Sequence, residues 1–93
     1  MGKKISFAIT VHNETTELKR LLTRLWEKLS VDRHEIVLLD DFSTHPETCA
    51  LLDEAKKRGV SLYQRAFRGD FAEHKNYLKS KCSGEYIFSL DAD

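Results

Sequence analysis

The chain has 93 residues, 41% of them hydrophobic, with 15 Lys plus Arg balanced by 15 Asp plus Glu, which allows one small domain with a thin core and excludes a two-domain machine. A net charge of zero removes any overall field that would draw in nucleic acid or an anionic membrane, so recognition has to come from local groups. No apolar run approaches the roughly 20 residues of a membrane span and no signal-peptide core opens the chain, so the expectation is a soluble, cytoplasmic protein.

Residues 1–6 (MGKKIS) formally fit a myristoylation pattern, but Ile5 and Ser6 already belong to a strand, which leaves almost no free arm. Residues 4–11 (KISFAITV) are apolar and β-branched with little alternation, as in a strand covered on both faces. Next, Leu18, Leu21, Leu22, Leu25 and Leu29 recur at helical spacing, with Glu14 and Glu17 in the first turn and Lys28 in the last. Trp26 lies beside that stripe and is read as packing. Residues 35–39 (EIVLL) form a second strand, which runs into Asp40 and Asp41. Pro46 suits the first position of a second helix whose stripe is Cys49, Leu52 and Ala55, ended by Lys56, Lys57, Arg58 and Gly59.

Residues 60–64 (VSLYQ) give a short third strand, followed by a loop over 65–69. Asp70 with Glu73 three residues on matches a capping box, and Phe71, Lys75, Leu78 and Cys82 continue a helical face toward Gly84. The apolar run 85–90 then leads as a fourth strand into Asp91-Ala92-Asp93. Cys49 and Cys82 form no Cys-x-x-Cys and fall on helical apolar faces, so they are expected to be buried thiols in a reducing compartment.

The order βαβαβαβ predicts an α/β, Rossmann-like three-layer α/β/α fold with a four-stranded parallel sheet in the order 3-2-1-4. In such sheets ligands bind beyond the carboxyl ends of the strands, where the winding reverses; here that is between the first and fourth strands. The polar residues fall at those ends: Thr10, His12, Asn13 and Glu14; Asp40 and Asp41; Arg68 and Asp70; Asp91 and Asp93. Successive strand residues face opposite ways, so Asp40 and Asp41 are expected to do different jobs, Asp40 bracing the loop that follows. Asp91 and Asp93 share a side and suit one hard cation, Mn2+ or Mg2+, with coordination positions left for phosphate oxygens. The four glycines make neither a dinucleotide fingerprint nor a phosphate-cradling loop, so a metal would supply the missing phosphate grip.

Three segments in this order and spacing, residues 5–14 ending His12-Asn13-Glu14, residues 40–44 (DDFST), and residues 84–93 ending Asp91-Ala92-Asp93, resemble the N-terminal, nucleotide-binding part of family 2 glycosyltransferases of the GT-A fold. The resemblance spans essentially the whole chain as one domain, 1–93, truncated relative to a full enzyme. It implies that the chain binds a nucleotide-diphosphate sugar, a UDP-sugar before others, and that Thr10 and His12 line the base and ribose pocket beside Asn13. It further implies that Asp41 accepts a hydrogen bond from the uracil ring N–H, that Asp93 binds the cation directly, and that Asp91 reaches the ribose or a metal-bound water. Family members often place a basic residue near the third helix toward the donor; Arg68 and Lys75 are the candidates here. Residues 71–76 (FAEHKN) look like members that transfer sugars in lipopolysaccharide core or phage-type pathways. The chain departs from the pattern at Val11, where many members have Pro, and at Asp70, where some have Arg.

In inverting enzymes of this type the general base and the acceptor pocket follow the Asp-x-Asp motif. No catalytic residue is therefore assigned, and the 93 residues alone are expected to turn over little or no sugar nucleotide. Two other readings compete: a phosphoreceiver-like signalling module, which also gathers acidic residues at strand ends, and a structural fragment that self-associates through an uncovered edge strand.

Overall fold

The computed structural model describes residues 4–28 and 33–91. It contains β1 (Ile5–Val11), α1 (Thr15–Lys28), β2 (His34–Asp40), α2 (Pro46–Lys57), β3 (Ser61–Gln64), α3 (Phe71–Ser80) and β4 (Tyr86–Asp91). All strand pairs are parallel and the sheet order is β3-β2-β1-β4, as the alternation of strands and helices predicts. In the sheet register Val11 stands opposite Asp40, Thr10 opposite Asp91, and Asp40 opposite Gln64.

Alternate residues of β1 feed two cores. Ile9 and Val11 join Leu18 and Leu22 of α1 and Leu51, Leu52 and Ala55 of α2 on one face, while Ala8 joins Val37, Leu39 and Leu78 of α3 on the other. The result is three layers, with the winding reversed between β1 and β4. Leu18 and Leu22 lose all contact with solvent, and full burial of each contributes about 1.5–3 kcal/mol. Leu21, Leu25 and Trp26 pack against the same core, and the Arg58 guanidinium lies 4.3 Å from the Trp26 ring centroid, so Trp26 is a packing residue. Leu29 of the expected stripe lies outside the described residues, as do residues 1–3.

Three sequence expectations are corrected. The buried side of α2 carries Thr48, Leu51, Leu52 and Ala55, while Cys49 is exposed; a hydrogen bond between the Thr15 and Thr48 hydroxyls lets the polar residue turn inward and the thiol outward. In α3 the buried positions are His74 and Leu78, and Phe71, expected on that face, is 72% exposed. Cys82 lies beyond the end of that helix and is only partly buried. At the edge of the sheet among the described residues, Tyr86, Ile87 and Phe88 of β4 are exposed. Phe88 is partly sheltered by stacking on Phe7 at 5.7 Å.

The amino-terminal end of the sheet is held by a clasp. Glu35 Oε2 accepts hydrogen bonds from the Ser6 hydroxyl, from the Ser83 N–H at 2.6 Å and from the Ser83 hydroxyl at 3.0 Å. Ser6 Oγ in turn accepts the Gly84 N–H at 2.8 Å. A Cβ at Gly84 would stand 2.7 Å from the Ser6 backbone nitrogen and 2.9 Å from the Ile5 carbonyl carbon, so a side chain there has no room. Partial burial alone would raise the pKa of Glu35, but the bonds from Ser6, Ser83 and Gly84 outweigh it and hold the carboxyl below its ordinary value. This clasp starts β4 in register with β1 and so sets where its carboxyl end falls.

No helix among the described residues is long and apolar enough to cross a membrane.

Candidate functional site

At the carboxyl ends of the strands, two loops are locked together. Asp40 is fully buried; its carboxylate accepts the Ser43 N–H at 3.1 and 3.2 Å, the Ser43 hydroxyl, and the Gln64 side-chain amide at 3.2 Å. A buried carboxylate needs such partners, and these bend the chain so that Phe42 sits at φ 46, a conformation that costs a bulky residue about 1–2 kcal/mol. Asp40 is thus the brace that strand alternation leads one to expect.

Asn13 belongs to the same lock. Its Oδ1 accepts the Thr44 and His45 N–H groups at 2.8 and 3.0 Å, and its own N–H donates to Ser43 Oγ at 2.9 Å. His45, the residue before α2, makes no side-chain cap, so Asn13 satisfies backbone donors at that helix entrance from across the loop. Its φ of 58 is one that Asn tolerates well. The side chain grouped with the ligand contacts in the sequence reading is therefore engaged in holding the scaffold.

Asp41 points the other way and ties three segments together. Its backbone N–H donates to the Val11 carbonyl at 2.9 Å, its Oδ1 accepts the Phe67 N–H at 3.0 Å, and its carbonyl oxygen lies 2.6 Å from His12 Nδ1. A carbonyl only accepts, so Nδ1 carries the proton and donates it, which leaves Nε2 as the ring nitrogen not engaged in that bond. The second carboxylate oxygen, Oδ2, is 3.9 Å from the same Nδ1. Glu14 folds back to accept the His12 N–H at 3.0 and 3.2 Å, which fixes the loop that carries the imidazole.

Between these residues and α3 opens a cleft of about 220 Å³ lined by Thr10, His12, Glu14 and Asp41 on one side and by Phe67, Phe71, His74 and Lys75 on the other. Four of the residues singled out in the sequence, Thr10, His12, Asp41 and Lys75, meet here. Arg68 does not; it lines a separate shallow hollow with Arg65, Asp70 and Glu73. In that hollow Asp70 caps α3 by accepting the Glu73 N–H at 3.1 Å, while the Glu73 carboxylate pairs with Arg65. The backbone of Asp91 stands opposite Thr10, at the rim of the cleft, and Asp93 lies outside the described residues. Among the described residues no group of three or more His, Cys, Asp or Glu gathers into a metal cage.

The aromatic wall escaped the sequence reading. Phe67 packs against Phe71 at 4.7 Å and edge-on against His74 at 5.4 Å. The signal for it was a phenylalanine in an otherwise polar loop, 65–70 (RAFRGD).

Residues 6–93 match the family model Glycosyl transferase family 2. An undecaprenyl-phosphate 4-deoxy-4-formamido-L-arabinose transferase of Yersinia pestis (strain Pestoides F) is 30% identical over 95 residues, covering 98% of this chain and 29% of its own length. The crystal structure of S. aureus TarS 1-349 superposes with a TM-score of 0.82 at 22% identity, over 97% of this chain and 27% of that one. The Pyrobaculum calidifontis mannosyltransferase PcManGT, solved with GDP-Man and Mn2+, superposes with a TM-score of 0.80 at 22% identity, again over 97% and 27%. The fold is the GT-A arrangement of these neighbours, and the chain belongs to glycosyl transferase family 2. It spans less than a third of the length of the relatives it matches. A phosphoreceiver function is left without support.

Proposed function

We propose that this family 2 glycosyltransferase chain captures the donor of the transfer, a nucleotide-diphosphate sugar, in the cleft between β1, β2 and α3, with a divalent cation at the end of β4. The observation that carries the reading is the convergence of Thr10, His12, Asp41 and Lys75 on one cleft beside the backbone of Asp91. Complete ligand pockets run to roughly 300–1,000 Å³; about 220 Å³ suits the nucleoside end of a donor, with the diphosphate reaching out toward β4.

The chemistry follows from the groups present. One Asp41 oxygen accepts the Phe67 N–H, and a carboxylate has about four lone-pair sites, so capacity remains for the imide N–H of a uracil or the ring N–H of a guanine. His12 presents Nε2 to a ribose hydroxyl, which can both donate and accept. Lys75 lines the same cleft, and its ammonium would meet a donor phosphate there by charge attraction. Asp91 and Asp93 have the oxygen chemistry of a Mn2+ or Mg2+ site, and the pairing of the Asp91 backbone with Thr10, which lines the cleft, supports this reading. When bound, that cation would neutralise charge on the departing nucleoside diphosphate. Two neighbours fit the donor class: TarS has been solved with UDP-GlcNAc and PcManGT with GDP-Man and Mn2+.

The acceptor and the base that deprotonates it are assigned to no residue here, so donor capture is the extent of the reading. Calorimetric titration with UDP, GDP and CDP, each with and without Mn2+, tests it. UDP is expected to bind, more tightly with Mn2+; failure of all three to bind in either condition would overturn the reading.

A further inference from the structure

The geometry points to Phe67 and Phe71 as a stacking wall for the nucleobase of the donor, with Asp41 holding that wall in place as well as facing the base edge. This inference rests on the donor-site reading above and adds residues that neither the three motifs nor the family match assigns.

Two independent features lead to it. Phe71 is 72% exposed on the first turn of α3, although it lines the cleft and stands only 4.7 Å from Phe67. A large ring left open to water at the mouth of a cleft, with a second ring behind it, offers an apolar platform on the side opposite the polar groups of Thr10, His12 and Asp41. Every base has a π-face that such a platform accepts, and polar groups on the other wall then read the edge.

The second feature is the backing of the wall. His74 is only 7% exposed, it lies edge-on to Phe67 at 5.4 Å, and its buried Nδ1 has no hydrogen-bond partner. An imidazole held inside without a partner at that atom carries a desolvation cost, and the same ring is packed behind Phe67. The Phe67 N–H is fixed by Asp41 Oδ1 at 3.0 Å. One carboxylate therefore sets the spacing between the polar wall and the aromatic wall. Phe71 is an affinity residue, and Asp41 is in part a positioning residue acting through Phe67.

The test compares the protein with F71A and F71W in titrations with UDP plus Mn2+ and with inorganic pyrophosphate plus Mn2+, the second ligand having no base. Because Phe71 is exposed, its removal should leave the fold intact, which the circular dichroism melt of each variant checks. F71A is expected to weaken UDP binding roughly 5- to 150-fold, the range that stacking one base on one ring supports. F71W should restore it, and pyrophosphate binding should be unchanged throughout. A proton NMR titration gives a second readout: the Phe67 and Phe71 ring signals should move upfield as UDP, but not pyrophosphate, is added. If UDP binds the protein and F71A equally, the stacking wall is wrong and the donor site stands. If F71A weakens UDP and pyrophosphate alike, the effect is not base stacking and the inference fails. If the unsubstituted protein binds no nucleotide, the donor-site reading itself falls.

Discussion

Asp41 Oδ1 accepts the backbone N–H of Phe67 across 3.0 Å, so the residue at the end of β2 that faces the cleft also anchors the loop entering α3. Its neighbour Asp40, fully buried, faces the opposite side and holds Ser43 and Gln64. Two adjacent carboxylates thus divide the work, one buried in the scaffold and one facing the cleft.

That division predicts different phenotypes. Asp40→Ala strips the partners of buried donors and should lower unfolding stability by about 2–4 kcal/mol in urea titrations. Asp41→Ala, at a part-exposed site, should lower it by only about 1 kcal/mol while weakening nucleotide binding at least tenfold. Equal stability losses with unchanged binding would contradict the assignment.

At the other end of the sheet, Glu35 gives the protein an acid-sensitive clasp. Its pKa is lower folded than unfolded, with the bonds from Ser6, Ser83 and Gly84 outweighing the effect of burial. A depressed carboxyl pKa contributes stability above the unfolded value and loses it as pH falls through the folded value. Stability should therefore decline below about pH 4.5, and Glu35→Gln should flatten that decline and be less stable than the parent protein at pH 7. The same slope in both proteins, measured by urea unfolding at a series of pH values, would show that the clasp is not the source.

Gly84→Ala forces a Cβ to 2.7 Å from the Ser6 nitrogen, a backbone atom that cannot rotate away. The expected cost is about 1–3 kcal/mol, with β4 shifted from β1. Urea unfolding gives the first quantity. Loss of the amide contacts between Tyr86 and Lys4 in NMR spectra would report the second.

The two thiols should separate in a labelling experiment. Cys49 is exposed and should react with a disulfide reagent at pH 8 within the mixing phase. Cys82 is half-buried, and burial together with the nearby Glu35 carboxylate raises its pKa, so it should react at least tenfold more slowly. Equal rates would contradict the placement of α2.

The fold was legible because its signals are redundant: the leucine stripe of α1, apolar strands and two capped helices all agree, and the sheet order 3-2-1-4 followed from covering both faces. Hydropathy misled where a polar side chain is buried through a local bond, as with Thr48 on Thr15 and His74 behind Phe67; each rotated the expected helical face and sent Cys49 or Phe71 outward. Thr10, His12 and Asp41 line one cleft, and their common place at strand ends was legible in the sequence. Asn13 was not, since its side chain turns to the next loop only because the chain there adopts φ 58. Arg68, singled out by the resemblance as a basic residue near the third helix, lines a neighbouring hollow that shares His74 with the cleft.

The central claim, a metal-assisted nucleotide site at the junction of β1 and β4, is tested most directly by the paramagnetic effect of Mn2+ on amide NMR signals in the presence of UDP. The account predicts selective broadening of Thr10, Val11, Asp41 and residues 90–93, with the signals of Glu35, Ser83 and Gly84 at the opposite end of the sheet left sharp, and loss of the effect in Asp93→Ala. Broadening centred elsewhere, or broadening at the β4 end that persists unchanged in Asp93→Ala, would contradict it.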